Sequence, residues 1–149
     1  MAPYTFDDHN ILWNTLGDFE HLVYFILNID EQNHIIDVLF KFAANQQIVL
    51  HRHLAHNNTL VIQGEHRLYE PDGALKEIRP VGSYTVSPPT PEPHREGGGT
   101  EQDVVVLFSI RGHDGVLYEV LDDDGQCIGT LSMQDFIGLY NAQKTLGAP

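Results

Sequence analysis

The sequence is poor in cysteine and in basic residues. Cys127 is the only cysteine among 149 residues, so no internal disulfide can form, which fits a reducing compartment. Lysine and arginine together number 8 against 21 acidic residues, and the formal net charge is -13 at pH 7. Because a surface of this charge repels a phosphate backbone, we do not expect the chain to bind nucleic acid.

Long apolar stretches are also missing. Apolar runs such as residues 104–108 are much shorter than a membrane span. Residues 1–8 do not combine a basic stretch with a following apolar one, so they do not predict a signal peptide. We therefore expect a cytoplasmic protein that does not interact with membranes.

Short runs of β-branched and aromatic residues, separated by glycine, proline and aspartate, dominate the chain from about residue 22. They predict strands at 22–28, 34–43, 47–54, 58–69, 74–79, 83–87, 103–110 and 115–121. Many short strands at this spacing indicate an all-β sandwich or barrel. Residues 1–20 predict an irregular N-terminal arm that packs on the main body, and 122–125 predict a hairpin turn.

The C-terminal segment has a helical pattern instead. Ser132 and Asp135 have the spacing of a capping box, in which Ser132 caps the helix. Apolar residues then recur at helical spacing, at Met133, Phe136, Ile137 and Tyr140. The pattern predicts a helix over 132–145 that covers one end or face of the β-structure.

Nine histidines are present, and two of them are separated by one residue. His51 and His53 lie in the β-patterned run 48–54, where a period of two directs both imidazoles to the same face. Two such imidazoles make half of a metal site. Composition alone gives about 0.5 chance pairs of this kind, so the metal hypothesis needs further support.

The residues around this pair resemble the two motifs of the cupin family. The matching residues are His51, His53 and Gly64 for the first motif, and Gly82, Pro88 and His94 for the second. The resemblance implies one domain, 1–149, with a cupin barrel (a double-stranded β-helix, or jelly roll) over 22–121. It also implies that His51, His53 and His94 bind one divalent metal, and that the protein is a homodimer.

One position departs from the common cupin pattern, because Asn57 stands where the family has a ligand glutamate. A site of three histidines resembles acetylacetone-cleaving and dihydroxyacetophenone dioxygenases, and also the cupin domains of zinc anti-sigma proteins. The first resemblance implies Fe(II), with zinc or nickel as alternatives, and O2 with a chelating small-molecule substrate. Three neutral ligands leave the full charge on the metal, which favours an anionic, bidentate oxygen ligand.

Three further residues are candidates for catalysis. Gln63, Arg67 and Tyr69 share one face if 58–69 is a continuous strand. Arg67 would then stabilise an enolate in the barrel, while the alternative is a surface arginine. His56 is offset from His53 by an odd number of residues, so we expect it to face away from the metal.

Residues near the third histidine have competing interpretations. Glu92 and Glu96 flank His94, and a position on the solvent surface is favoured over a role in orienting a ligand. His66 is expected near the site or on the surface. The glycine-rich segment 95–103 predicts either a mobile loop at the barrel mouth or a disordered segment.

The leading hypothesis is a mononuclear non-heme dioxygenase that cleaves a carbon–carbon bond in a β-diketone or hydroxyaryl ketone. The alternative is a non-catalytic cupin that binds a metal or senses a small molecule. A metal-assisted isomerase or a sugar-binding cupin stays open as well, since ligands alone do not define a reaction.

Overall fold

The computed structural model describes residues 3–146. Within that range the chain forms eleven β-strands and one helix. The strands are β1 (Leu22–Asp30), β2 (Ile35–Phe42), β3 (His51–His53), β4 (His56–Gln63), β5 (His66–Tyr69), β6 (Leu75–Arg79), β7 (Tyr84–Ser87), β8 (Arg95–Gly97), β9 (Val104–Arg111), β10 (Val116–Leu121) and β11 (Cys127–Ser132), and the helix is α1 (Met133–Leu146).

The strands form three antiparallel sheets. One has five strands in the order β1-β2-β9-β4-β7, and the other two have the orders β11-β10-β3 and β6-β5-β8. An isolated bridge between His51 and His94 joins the two smaller sheets through two backbone hydrogen bonds, of 3.1 and 2.9 Å. This bridge brings together the two stretches of chain that carry the predicted metal ligands.

Alternating residues of β2 and β9 form the centre of the apolar core, as expected for strands with one face buried. The buried cross-strand pairs are Ile36 with Ile110, Val38 with Phe108, Phe40 with Val106, and Phe42 with Val104. Burial of each such side chain stabilises the fold by about 1.5–3 kcal/mol. The rings of Phe42 and Phe108 also lie against His66, with centroid distances of 5.8 and 6.0 Å. The core therefore supports the histidine-bearing strands directly.

The N-terminal segment is irregular and packs on the sheets. Asn14 pairs with Tyr24 of β1, and Leu16 and Phe19 pack against the core. Residues 1 and 2 of the predicted arm lie outside the described residues.

The capping box at the start of α1 is confirmed. The Asp135 amide donates to Ser132 Oγ at 3.1 Å, and the Ser132 amide donates to Asp135 Oδ2 at 2.8 Å. Near the other end of α1, Gln143 forms two hydrogen bonds with the backbone of Ile26, which secure the helix to β1. The all-β class with a C-terminal helix is therefore confirmed.

Several predicted boundaries were wrong for local reasons. The predicted strand 58–69 is divided into β4 and β5 at Gly64, whose φ is +74° and where a Cβ would meet Asp103 O at 2.9 Å. Strand β11 follows the predicted turn at 122–125 but was not itself predicted. No helix among residues 3–146 is long and apolar enough to cross a membrane.

Candidate metal centre

Two short β-segments carry the cluster. His51 and His53 lie two apart on β3, and His94 and Glu96 lie two apart where the chain enters β8. Spacing by two puts both members of a pair on one face, and the His51–His94 bridge aligns the pairs. One potential donor atom from each of the four residues lies within 4.8 Å of the others.

Glu96 lies close to all three predicted ligands. Its Oε2 is 2.7 Å from His51 Nε2, 3.4 Å from His94 Nε2 and 3.6 Å from His53 Nε2. The side chain is only 3 % exposed, so the interpretation of Glu96 as a surface residue was wrong. The alternation His94-x-Glu96 is the sequence feature that could have indicated this, but residues 95–103 were predicted as a loop, whereas 95–97 form a strand.

Two imidazole nitrogens in the cluster are buried without a hydrogen-bond partner among the described residues, His53 Nε2 and His94 Nε2. Buried polar atoms normally find a partner, so each unpartnered one requires an explanation. Burial also lowers the pKa of His53 to about 4, so this imidazole is neutral at pH 7. A neutral imidazole at His53 and two unpartnered Nε2 atoms beside a carboxylate fit a divalent transition metal.

The charges within the cluster are mutually dependent. Burial alone would raise the pKa of Glu96, but the hydrogen bonds with His51 and His66 and the nearby imidazoles of His53 and His94 hold it well below its usual value. Burial alone would lower the pKa of His51, yet Glu96 outweighs burial and raises it. His51 Nδ1 lies 2.8 Å from the Val49 carbonyl, which only accepts, so Nδ1 carries a proton and Nε2 faces the cluster.

His66 holds the second oxygen of Glu96. Its Nε2 is 2.7 Å from Glu96 Oε1, and its side chain is fully buried on β5. A partner of this kind orients a ligand and adjusts its basicity. Of the two positions expected for His66, the structure shows the one beside the site.

The glycine-rich segment after Glu96 is not a loop at its start. Gly97 lies in β8, and Gly97 and Gly98 are both buried. A Cβ on Gly97 would collide with the backbone of Gln46, and one on Gly98 would lie 3.0 Å from Phe42 O. These glycines allow the strand to approach the chain before β3, which helps to position Glu96.

Gln63, Arg67 and Tyr69 do not meet the histidine cluster. Gln63 is buried but binds the backbone, accepting from Phe6 N and donating to Asp103 O at 2.9 Å each. Arg67 Nε donates to Glu65 Oε2 at 2.9 Å. None of the three lines the cavity beside the histidines, and this geometry does not support their predicted roles in catalysis.

Asn57 and His56 also have defined positions. Asn57 is buried and accepts a hydrogen bond from the Tyr118 hydroxyl at 2.8 Å. Burial raises the pKa of Tyr118 well above its usual value, so Tyr118 stays a neutral donor. His56 begins β4 and does not belong to the cluster.

Two cavities adjoin the cluster. The larger, called the histidine cavity below, has a volume of about 160 Å³, and its lining includes His53, His66, His94, Glu96 and Phe108. The smaller has a volume of about 60 Å³, lies beside His51 and Glu96, and has an otherwise apolar lining that includes Phe40 and Tyr118. A water molecule occupies about 30 Å³ in the liquid, so the histidine cavity is large enough for a small organic molecule.

Comparisons with known proteins agree on the fold. No family model and no curated protein matches this chain. Among solved structures, an RmlC-like cupin from Ralstonia eutropha has a TM-score of 0.74 and 16% identity, over 100% of this chain and 92% of its own. An acetylacetone dioxygenase from Acinetobacter johnsonii has a TM-score of 0.66 and 12% identity, over 96% and 93%. The complex of Rhodobacter sphaeroides SigE with the anti-sigma ChrR gives 0.55 and 20%, over 68% and 50%. The chain therefore has the cupin fold, as its two histidine motifs predict.

Proposed function

We propose that this chain is a mononuclear, divalent-metal-dependent dioxygenase that cleaves a carbon–carbon bond in a β-diketone or hydroxyaryl ketone. The observation that carries the proposal is the convergence of three buried histidines and Glu96 beside a cavity. Within that cluster, His53 Nε2 and His94 Nε2 are left without a partner among residues 3–146. We infer that His51, His53 and His94 bind the metal and that Glu96 provides a carboxylate oxygen.

The metal, Fe(II) by preference and zinc or nickel as alternatives, would supply a Lewis-acidic centre that binds a chelating substrate and activates O2. Residues of the chain would orient the ligands and balance the charge of the metal. His66 holds Glu96 through Oε1, which leaves Oε2 directed at the histidines. Since Glu96 stays ionised, it offsets one charge of a divalent ion.

The apolar side chains restrict water at the site. Phe108 lines both cavities, and the ring of Tyr118 lies 4.9 Å from that of His53. A dry environment strengthens electrostatic contacts and prevents reactive species from being quenched by water. The Tyr118 hydroxyl donates a hydrogen bond to Asn57 Oδ1 and is therefore directed away from the metal.

Structural similarity supports the dioxygenase over the sensor. The TM-score is 0.66 for the solved acetylacetone dioxygenase and 0.55 for the complex with the anti-sigma ChrR. One observation favours the non-catalytic alternative. Four protein donors already converge here, and a closed set of four is typical of structural zinc.

The test begins with the purified protein and its bound metal, measured by mass spectrometry. Reconstitution with Fe(II) under nitrogen is followed by air and a panel of β-diketones and hydroxyacetophenones, with O2 uptake as the readout. We expect uptake that is lost in His51→Ala and His94→Ala but kept in His56→Ala, which alters a histidine outside the cluster. Firmly bound zinc and no uptake with any chelating substrate would favour the sensor. The homodimer and the cytoplasmic location stay predictions.

A further inference from the structure

The histidine cavity also has basic residues in its wall. Lys76 and Arg79, both from β6, line it together with the histidines. The chain has only 8 lysines and arginines and a net charge of -13, so two cations in the wall of one small cavity, which also contains Glu96, are a local concentration of positive charge. A cavity whose walls carry positive charge concentrates anions against the field of the whole protein.

Arg79 is positioned by strand register and by an ion pair. It lies directly opposite His66 in the β5–β6 ladder, and opposed residues project from the same face of a sheet. Its Nε donates to Glu77 Oε2 at 2.8 Å, and its side chain is 13 % exposed. Because an arginine has five N–H donors, the four on its two Nη atoms remain for another partner.

A buried hydroxyl in the same wall lacks a partner. Thr59 is 3 % exposed, lines the histidine cavity, and its Oγ1 has no hydrogen-bond partner among the described residues. An unpaired buried hydroxyl costs free energy unless something in the cavity binds it. The cavity therefore offers polar contacts away from the metal ligands as well as positive charge.

We propose that the physiological substrate carries a carboxylate in addition to its two chelating oxygens. Arg79 and Lys76 bind the carboxylate, Thr59 donates a further hydrogen bond, and the chelating oxygens face His53 and His94. The substrate class is thus an acidic β-diketone or hydroxyketone rather than a neutral one. This inference rests on the proposed function for the chelating end of the molecule, while the carboxylate contact depends only on β6 and β4.

The experiment compares succinylacetone with its methyl ester. Succinylacetone is a β-diketone with a carboxylate two methylene groups away, and the ester keeps the diketone without the charge. Affinities are measured by calorimetry on the zinc-loaded protein, since zinc does not turn over the ligand. A charge-assisted contact predicts that the acid binds about tenfold to hundredfold more tightly than the ester. We expect Arg79→Gln and Lys76→Gln each to reduce this preference.

Arg111→Gln is the matched control, because Arg111 is an exposed arginine of β9 outside the histidine cavity. Any of three results would overturn the inference. They are equal binding of acid and ester, no binding of either, and a preference for the acid that is unchanged in both Arg79→Gln and Lys76→Gln. If the acid is preferred but no chelate consumes O2 in the iron form, the dioxygenase proposal fails and the carboxylate site stands. If O2 uptake is rapid with the ester and unchanged in Arg79→Gln, the dioxygenase stands and the carboxylate site fails.

Discussion

Glu96→Gln separates the three-histidine site expected from the sequence from the four-donor site found in the structure. The substitution removes one negative charge, keeps the size of the side chain, and keeps one oxygen that can accept from His51 or His66. Oε2 lies 2.7–3.6 Å from the three ligand nitrogens, inside the donor set rather than behind it. We therefore expect the main effect on metal affinity rather than on packing.

The size of the effect follows from this position. Substituting the outer partners of metal ligands costs about tenfold to hundredfold in affinity, and Glu96 belongs at the upper end because it lies among the ligands. A hundredfold loss corresponds to about 2.8 kcal/mol. Two unit charges about 4 Å apart interact by about 4 kcal/mol at an effective dielectric constant of 20. Loss of the Glu96 charge is therefore sufficient to account for a hundredfold loss of metal affinity.

Zinc affinity measured by competition with a chromophoric chelator provides the assay. Glu92→Gln is the control, because it removes an exposed carboxylate two residues before His94. Urea unfolding of both metal-free variants checks that each folds cooperatively. Parental zinc affinity in a folded Glu96→Gln protein would refute the reasoning, since Glu96 would then only support His51 and His66.

Three more predictions follow from other parts of the molecule. Glu96 raises the pKa of His51 despite burial, and the proton on His51 Nε2 must leave before that nitrogen binds zinc. Zinc affinity should therefore fall about tenfold per pH unit below the pKa of His51, which zinc titrations between about pH 8 and pH 5 check. Gln143→Ala should lower the free energy of unfolding by at least about 2 kcal/mol in urea, because two buried backbone groups of β1 lose their partner, whereas exposed Gln134→Ala should change it little. Gly64→Ala should cost about 2 kcal/mol in the same assay through its left-handed φ and the contact with a backbone oxygen, whereas Gly129→Ala, with open space at its Cβ, should not.

Much of the fold and part of the site were predictable from local patterns. The alternation in β2 and β9, the capping box of α1 and the cupin-like spacing around His51 and His94 each depend on a short window of sequence. Strands and caps follow from such windows because side-chain direction repeats every two residues in a strand and helix ends need local partners. The convergence of the three histidines followed from the resemblance of two separated motifs.

The directions of the side chains proposed for catalysis depend on a strand break that the sequence pattern did not predict. Counting by two through an unbroken strand placed Arg67 on the same face as Gln63. The break at Gly64 reverses the parity, so Thr59 on β4 and His66 on β5 line the cavity instead. A strand break changes which side chains face inward because the period of two restarts with the new strand.

Composition and short-range spacing were enough to establish an acidic, β-rich chain with a terminal helix and a pair of histidines on one strand. The environment of those histidines depended on long-range pairing. Glu96 became buried because β8 pairs with β5, where His66 holds its second oxygen, and Arg79 reached the cavity because β6 pairs with the other edge of β5. The charge balance of the site therefore came from tertiary structure, since a carboxylate is kept ionised in the interior only by partners that folding brings to it from distant parts of the chain.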